Sequence, residues 1–158
     1  MAVQTDGKIV AAGESGGNFA LARYRSDGSL DDTFGSGGKV ISDIGGYDQV
    51  RAIALQADGK IVAAGGSAGA DDNRFGLARY NGDGSPDHAF GKKGTVTIGS
   101  NGDLWAHSVT VQSDGKIVAA GERVQGGESD FFLVRCRNDG NPDTDFGEGG
   151  KVTTNFRR

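Results

Sequence analysis

Gln4-Thr5-Asp6-Gly7-Lys8-Ile9-Val10-Ala11-Ala12-Gly13 is a phrase that this chain of 158 residues uses three times. It returns as Gln56-Ala57-Asp58-Gly59-Lys60-Ile61-Val62-Ala63-Ala64-Gly65 and as Gln112-Ser113-Asp114-Gly115-Lys116-Ile117-Val118-Ala119-Ala120-Gly121. Asp6 and Asp58 lie 52 residues apart, Asp58 and Asp114 lie 56 apart. Periods of this size mark propellers and other repeat arrays. Each unit must bury its apolar face against a neighbour, so the architecture follows from the repetition.

Working outward from the phrase, each unit yields four strand-like segments. The Asp-Gly dipeptides are turns that supply the positive φ a tight hairpin needs. A short strand follows, Lys-Ile-Val-Ala-Ala-Gly, whose small residues suit a crowded axis. The second strand is Phe19 to Tyr24, Phe75 to Tyr80 and Phe131 to Cys136. Its period of two puts Phe19, Leu21 and Arg23 on one face, matched by Phe75, Leu77, Arg79 and by Phe131, Leu133, Arg135. Third strands begin at Lys39, Thr95 and Lys151, and fourth strands run from Gln49 to Gln56 and from Trp105 to Gln112. Spacings within the units are constant except in one loop. Asp6 to Leu21 is 15 residues, whereas Asp58 to Leu77 and Asp114 to Leu133 are 19. A loop that varies on a constant scaffold is where function usually sits.

Composition agrees with an all-β chain. The 29 glycines have no collagen period and serve as turn punctuation. A formal charge of −4, with acids and bases interspersed, offers no basic stripe for nucleic acid. No apolar run approaches the ~18 residues of a membrane span, and the N-terminus has no secretory signal pattern. The one cysteine, Cys136, excludes a disulfide framework within the chain. It occupies the slot of Tyr24 and Tyr80, which reads as a packed strand position.

The Val-Gln-x-Asp-Gly-Lys-Ile-Val-Ala-Ala-Gly start, the Leu-Ala-Arg-Tyr strand and the Asp-Gly-Ser-x-Asp-x-x-Phe-Gly loop resemble the delta-60 repeat family of bacterial β-propeller proteins. The resemblance runs through essentially the whole chain. It implies a propeller, generally in secreted or cell-surface settings, and no particular reaction. The expected organisation is a single array over residues 1–158, with units of about 3–54, 55–110 and 111–158. In this frame the last blade is incomplete, its fourth strand partly supplied by Met1-Ala2-Val3-Gln4. Propellers use about 4 to 8 blades, so three call for a homodimer closing a six-bladed ring, or for a longer array.

Candidate sites follow from the loops. Asp27/Asp31, Asp83/Asp87 and Asp139/Asp143 each place two carboxylates four residues apart. These read as structural turns in which Asx oxygens cap backbone N–H groups, with calcium as the weaker reading, and no other cofactor is implied. Arg23, Arg79 and Arg135, on the core-facing side, each call for a carboxylate partner.

Gly13-Glu14-Ser15-Gly16-Gly17 and Gly65-Gly66-Ser67-Ala68-Gly69 fit the Gly-x-Ser-x-Gly pattern of hydrolase nucleophiles, although that pattern takes its meaning from a strand-turn-helix context. His107 is the candidate base for Ser15 or Ser67, with Asp103 among the orienting groups, while His88 falls at the opposite end. The variable loops also gather Asn18, Asp71, Asp72, Arg74, Arg123 and Glu128, with Tyr47 and Trp105 nearby. Polar groups beside aromatics suit a small-molecule, glycan or protein ligand, and Trp105 reads equally as a wedge between blades. The first functional reading is a binding or scaffold module for carbohydrate, peptide or protein on the variable-loop face. The alternative is a serine hydrolase of small esters.

Overall fold

The computed structural model describes residues 1–69, 72–100 and 102–155, and every regular element among them is a strand. In chain order these are β1 (Ala2–Val3), β2 (Ile9–Ser15), β3 (Asn18–Tyr24), β4 (Lys39–Ser42), β5 (Tyr47–Leu55) and β6 (Ile61–Ala68). Then come β7 (Asn73–Tyr80), β8 (Thr95–Ile98), β9 (Asp103–Val111), β10 (Ile117–Gln125), β11 (Glu128–Cys136) and β12 (Lys151–Thr154). They form three four-stranded sheets, β1-β2-β3-β4, β5-β6-β7-β8 and β9-β10-β11-β12. All strand pairs are antiparallel. These are the blades of a propeller. Among the described residues no helix is long and apolar enough to cross a membrane.

The Asp-Gly turns fix the frame of the blades. Gly59 N–H donates to Gln56 O at 3.0 Å and Gln56 N–H to Lys60 O at 2.8 Å, with Gly59 at φ +84°. This is a three-residue hairpin whose last residue must be left-handed, and it joins β5 directly to β6. A strand that enters such a turn pairs with the strand that leaves it. The blade therefore begins one strand before the repeated phrase, and the expectation of an incomplete last blade is corrected. The third blade has all four strands, and the N-terminal strand β1 pairs with β2 inside the first.

A second correction concerns the axis. Arg51 on β5 and His107 on β9 hold equivalent positions in neighbouring blades, and their side chains meet at 3.2 Å. Equivalent residues converge only where blades crowd together, so the innermost strands are β5 and β9, with the Ala-Ala-Gly strands next outward. The glycine of that motif has another cause. The β5–β6 register shifts at Arg51 and the β9–β10 register shifts at His107. At these bulges a Cβ on Gly65 would lie 1.8 Å from Gln49 O, and one on Gly121 would lie 1.8 Å from Trp105 O.

Two cores fill the two joints between blades. Val10, Phe19, Leu21, Phe34, Val50, Ile61, Ala63 and Tyr80 pack between the first and second blades. Val62, Ala64, Phe75, Leu77, Phe90, Leu104, Phe132 and Cys136 pack between the second and third. The middle blade is thus buried on both faces, and β7 is buried at every residue from Phe75 to Tyr80. In β3 only Phe19, Leu21 and Arg23 are buried, and in β11 it is the opposite parity, Asp130, Phe132, Val134 and Cys136. The Phe131, Leu133, Arg135 face matches the core face of β3 in sequence, yet it lies on the outer side of the third blade, with Phe131 60% exposed.

Candidate functional site

Antiparallel pairing sends the Asp-Gly turns and the double-aspartate loops to one end of the blades and the variable loops to the other. At the first end the carboxylates are engaged within the fold. Asp27 Oδ1 accepts from Ser29 N–H at 2.9 Å and from its hydroxyl at 2.6 Å, and Asp83 does the same with Ser85. Asp139 accepts from Asn141 N–H at 2.9 Å and from its amide at 2.8 Å. These are Asx turns. The second aspartate of each loop turns inward. Asp31, Asp87 and Asp143 are buried and accept from Nε of Arg23, Arg79 and Arg135 at 2.8, 2.7 and 2.7 Å.

Each guanidinium also covers a ring, Phe34, Phe90 or Phe146, at 4.6, 4.7 and 4.5 Å from its centre. The arginine–carboxylate pairing expected from the repeat is present in all three blades. Hydroxyl donation from Ser29, Thr33 and Ser85 holds Asp27, Asp31 and Asp83 below the ordinary aspartate value, and the Asn141 N–H does so for Asp139. The two carboxylates of a loop therefore address different partners. Among the described residues no three His, Cys, Asp or Glu side chains are arranged to hold a metal ion.

The serines and histidines are not brought together. Ser15 ends β2 opposite Asn18, whereas Ser67 is buried in β6 between Asp48 and Arg74. Neither shares a hydrogen bond with His107 or His88. His107 Nδ1 faces Arg51 Nη1 at 3.2 Å, and its Nε2 faces Glu122 Oε1 at 3.1 Å. A guanidinium only donates, so Nδ1 carries the lone pair and Nε2–H donates to Glu122. Ser129 Oγ donates to the other oxygen of that carboxylate at 2.7 Å. The Ser129 hydroxyl, followed by His107, draws Glu122 below its ordinary value. Here the carboxylate stands between serine and histidine, whereas a nucleophilic triad needs the histidine in the middle. Asp103 is turned elsewhere, accepting from Asn73 N–H at 2.8 Å and from its amide at 2.9 Å.

At the variable end the candidate binding residues divide by blade. Tyr47 is 58% exposed, its ring lying over Gly17, and the Asn18 amide donates to Gly16 O at 3.2 Å. Asp72 pairs with Arg74 at 3.1 Å beside Gly99, and Arg123 Nη2 donates to Asp130 at 3.1 Å. Glu128 is exposed at the head of β11, and Asp71 lies outside the described residues. Trp105 is an interblade wedge. A Cβ on Gly66 would come within 2.5 Å of its ring, and Arg51 covers it at 5.0 Å.

A groove between the second and third blades was not among the sequence candidates. It measures about 710 Å³ and is lined by Ser100, Arg123, Phe132, Glu148, Lys151 and Thr153, among others. Lys151 Nζ donates to Gly99 O across it at 2.9 Å. Arg123 Nε and Ser100 Oγ are buried without a hydrogen-bond partner. The signal lay in the repeat alignment. Ser100 stands where the preceding blade has Ile44, and Arg123 stands where the others have Ser15 and Ser67.

A family model described as a domain of unknown function (DUF5122) beta-propeller matches residues 4–34, 56–90 and 112–146, more than half of the chain. No curated protein matches it.

Proposed function

The chain belongs to the DUF5122 beta-propeller family, and from that footing we propose that it is a binding or scaffold module. Its ligand is a carbohydrate, peptide or protein taken at the variable-loop end. The observation that carries this reading is the polar groove between the second and third blades. An apolar-to-polar change at Ser100 and a small-to-charged change at Arg123, relative to the other repeats, meet there beside Lys151. A buried donor without an acceptor costs about 1–3 kcal/mol, which a ligand offering carboxylate or hydroxyl oxygens would offset. Arg74 with Asp72 and the exposed Tyr47 extend the polar and aromatic surface along the same end. The likeness to delta-60 repeats adds a secreted or cell-surface setting to this proposal.

Screening the chain against glycans and acidic peptides tests it, followed by titration of any hit against Arg123→Ala, Lys151→Ala and Ser100→Ile. Affinity is expected to fall in all three, by roughly fivefold to a hundredfold each, as charge-assisted hydrogen bonds of about 1–3 kcal/mol are lost. Binding that is indifferent to all three removes the groove from the reading.

A further inference from the structure

The two joints inside the chain are made by the same three contacts. First, a phenylalanine of the third blade strand inserts toward the next blade. A Cβ on Gly76 would stand 3.3 Å from the Phe19 ring, and Phe75 meets Phe132 edge-on at 5.4 Å between centres. Second, an arginine reaches a carbonyl of the next blade's double-aspartate loop, Arg23 to Gly82 O and Arg79 to Asn138 O. Third, a backbone N–H meets the following aspartate's carbonyl, Gly35 to Asp83 O at 2.7 Å and Gly91 to Asp139 O at 2.8 Å.

Carrying the register one blade further names a third set. Phe131, Arg135 and Gly147 are the presenting residues on the outer face of the third blade. Ala20, Ser26 O and Asp27 O are the receiving positions on the outer face of the first. Both sets are accessible. Gly84 and Gly140, which receive the preceding blade, are buried, but the equivalent Gly28 is exposed, with open space where its Cβ would point. The Arg135 side chain is 21% exposed against 7% for Arg23 and 4% for Arg79. Opposite Phe131, the first blade offers an apolar groove of about 240 Å³ along Ala11, Ala12, Gly13, Ala20, Ala22 and Ile41.

We propose that the outer face of the third blade docks onto the outer face of the first blade of a second copy of this chain, closing a six-bladed ring at two identical joints. The occupant follows from the repeat itself: the face that completes each internal joint is carried by this same chain at its other end. Two copies supply six blades, within the range of about 4 to 8 that propellers use, whereas three copies would exceed it. Both joints are heterologous and close under a single two-fold axis. The polar groove borders this face and shares Gly147 with it, whereas Phe131 and Ala20 do not line it.

Sedimentation equilibrium of the 158-residue chain at micromolar concentration is expected to give twice the chain mass of 16.2 kDa. Phe131→Lys and Ala20→Glu each place a charge in the joint without emptying a core, because both positions face outward. Each is expected to sediment as a folded monomer, with wild-type far-UV circular dichroism. An equimolar mixture of the two is expected to return to the two-chain mass. In the mixed ring one joint is native and the other sets the new lysine against the new glutamate. A monomeric wild type, an assembly larger than two chains, a dimer that both substitutions leave intact, or two folded monomeric variants that fail to associate on mixing would each overturn the proposal.

Discussion

The arginine of the third strand in each blade binds a carboxylate and a ring, and Arg23 and Arg79 also bind the neighbouring blade, so they join two levels of the structure. Arg79 is the most enclosed, with its side chain 4% exposed, its Nε on Asp87 at 2.7 Å and Phe90 beneath it. Arg79→Ala leaves Asp87 buried without its counter-charge, which costs about 3–5 kcal/mol for a broken buried pair. In the Phe131→Lys chain, where the joint is open and solvent reaches the pair, Arg135→Ala removes the same chemistry at an expected cost that is clearly smaller. Denaturant unfolding of the two variants measures the difference, and equal losses would mean that burial does not set the strength of this contact. Cys136 lies in the same interblade core. Burial, and then the charges of Asp139 and Asp143, push its thiol up to about 11. It is expected to resist thiol reagents at mildly alkaline pH until the blades separate, and rapid labelling of the native chain would contradict the packing.

Among the strands, one repeat position takes two different environments. Gly65 and Gly121 face bulged innermost strands, where a Cβ would meet a carbonyl oxygen at 1.8 Å. Gly13 has nothing within 4 Å. Gly65→Ala and Gly121→Ala therefore force the inner strand away and are expected to destabilise by about 1–3 kcal/mol, the usual cost of overpacking. With the joint open, as in the Phe131→Lys chain, Gly13→Ala is expected to be neutral or to stabilise by up to about 1 kcal/mol, because there it only restricts the unfolded chain. Melting curves of the three variants test this, and a uniform response would remove the bulge as the reason for the glycine. This position also shows where sequence reading stopped. Asp-Gly turns and period-two alternation made the strands and the repeat legible, since both are local chemistry. The blade frame was missed because the repeated phrase begins inside a hairpin, so a unit cut at the phrase divides one sheet between two repeats. The bulge at Arg51 and His107 leaves no mark in apolar periodicity.

For the molecule as a whole, the candidate sites were legible only where they repeated. The pairing of Arg23, Arg79 and Arg135 could be read because three copies of the loop agreed. The Ser100–Arg123 groove left only two unrepeated residues as its mark, since Ser100 lies in the connection from β8 to β9 and Arg123 on β10. The same repetition predisposes the fold to acid. Asp6, Asp58 and Asp114 lie below the ordinary aspartate value of 3.8 through the side-chain bond from the lysine two residues on. Asp27, Asp31, Asp83 and Asp139 lie below it through the hydroxyl and N–H donors of their turns. A carboxyl that is more acidic in the folded state binds fewer protons there than in the unfolded chain. Its stabilisation is complete above the unfolded value near 3.8 and disappears as pH falls through the lower folded value. Because these groups recur in every blade, the loss accumulates over the whole array rather than at one weak point. The thermal midpoint is expected to stay level from neutral pH to about pH 5 and then to drop steeply as the carboxylates take up protons. The turn bonds can be tested separately from net charge. Asp83→Asn keeps an oxygen acceptor for the Ser85 N–H but removes the titrating group, so it is expected to lower the midpoint at neutral pH and to shallow the acid decline. An acid decline as steep as that of the parent chain would assign the pH dependence to charge repulsion across the molecule instead of to these turns.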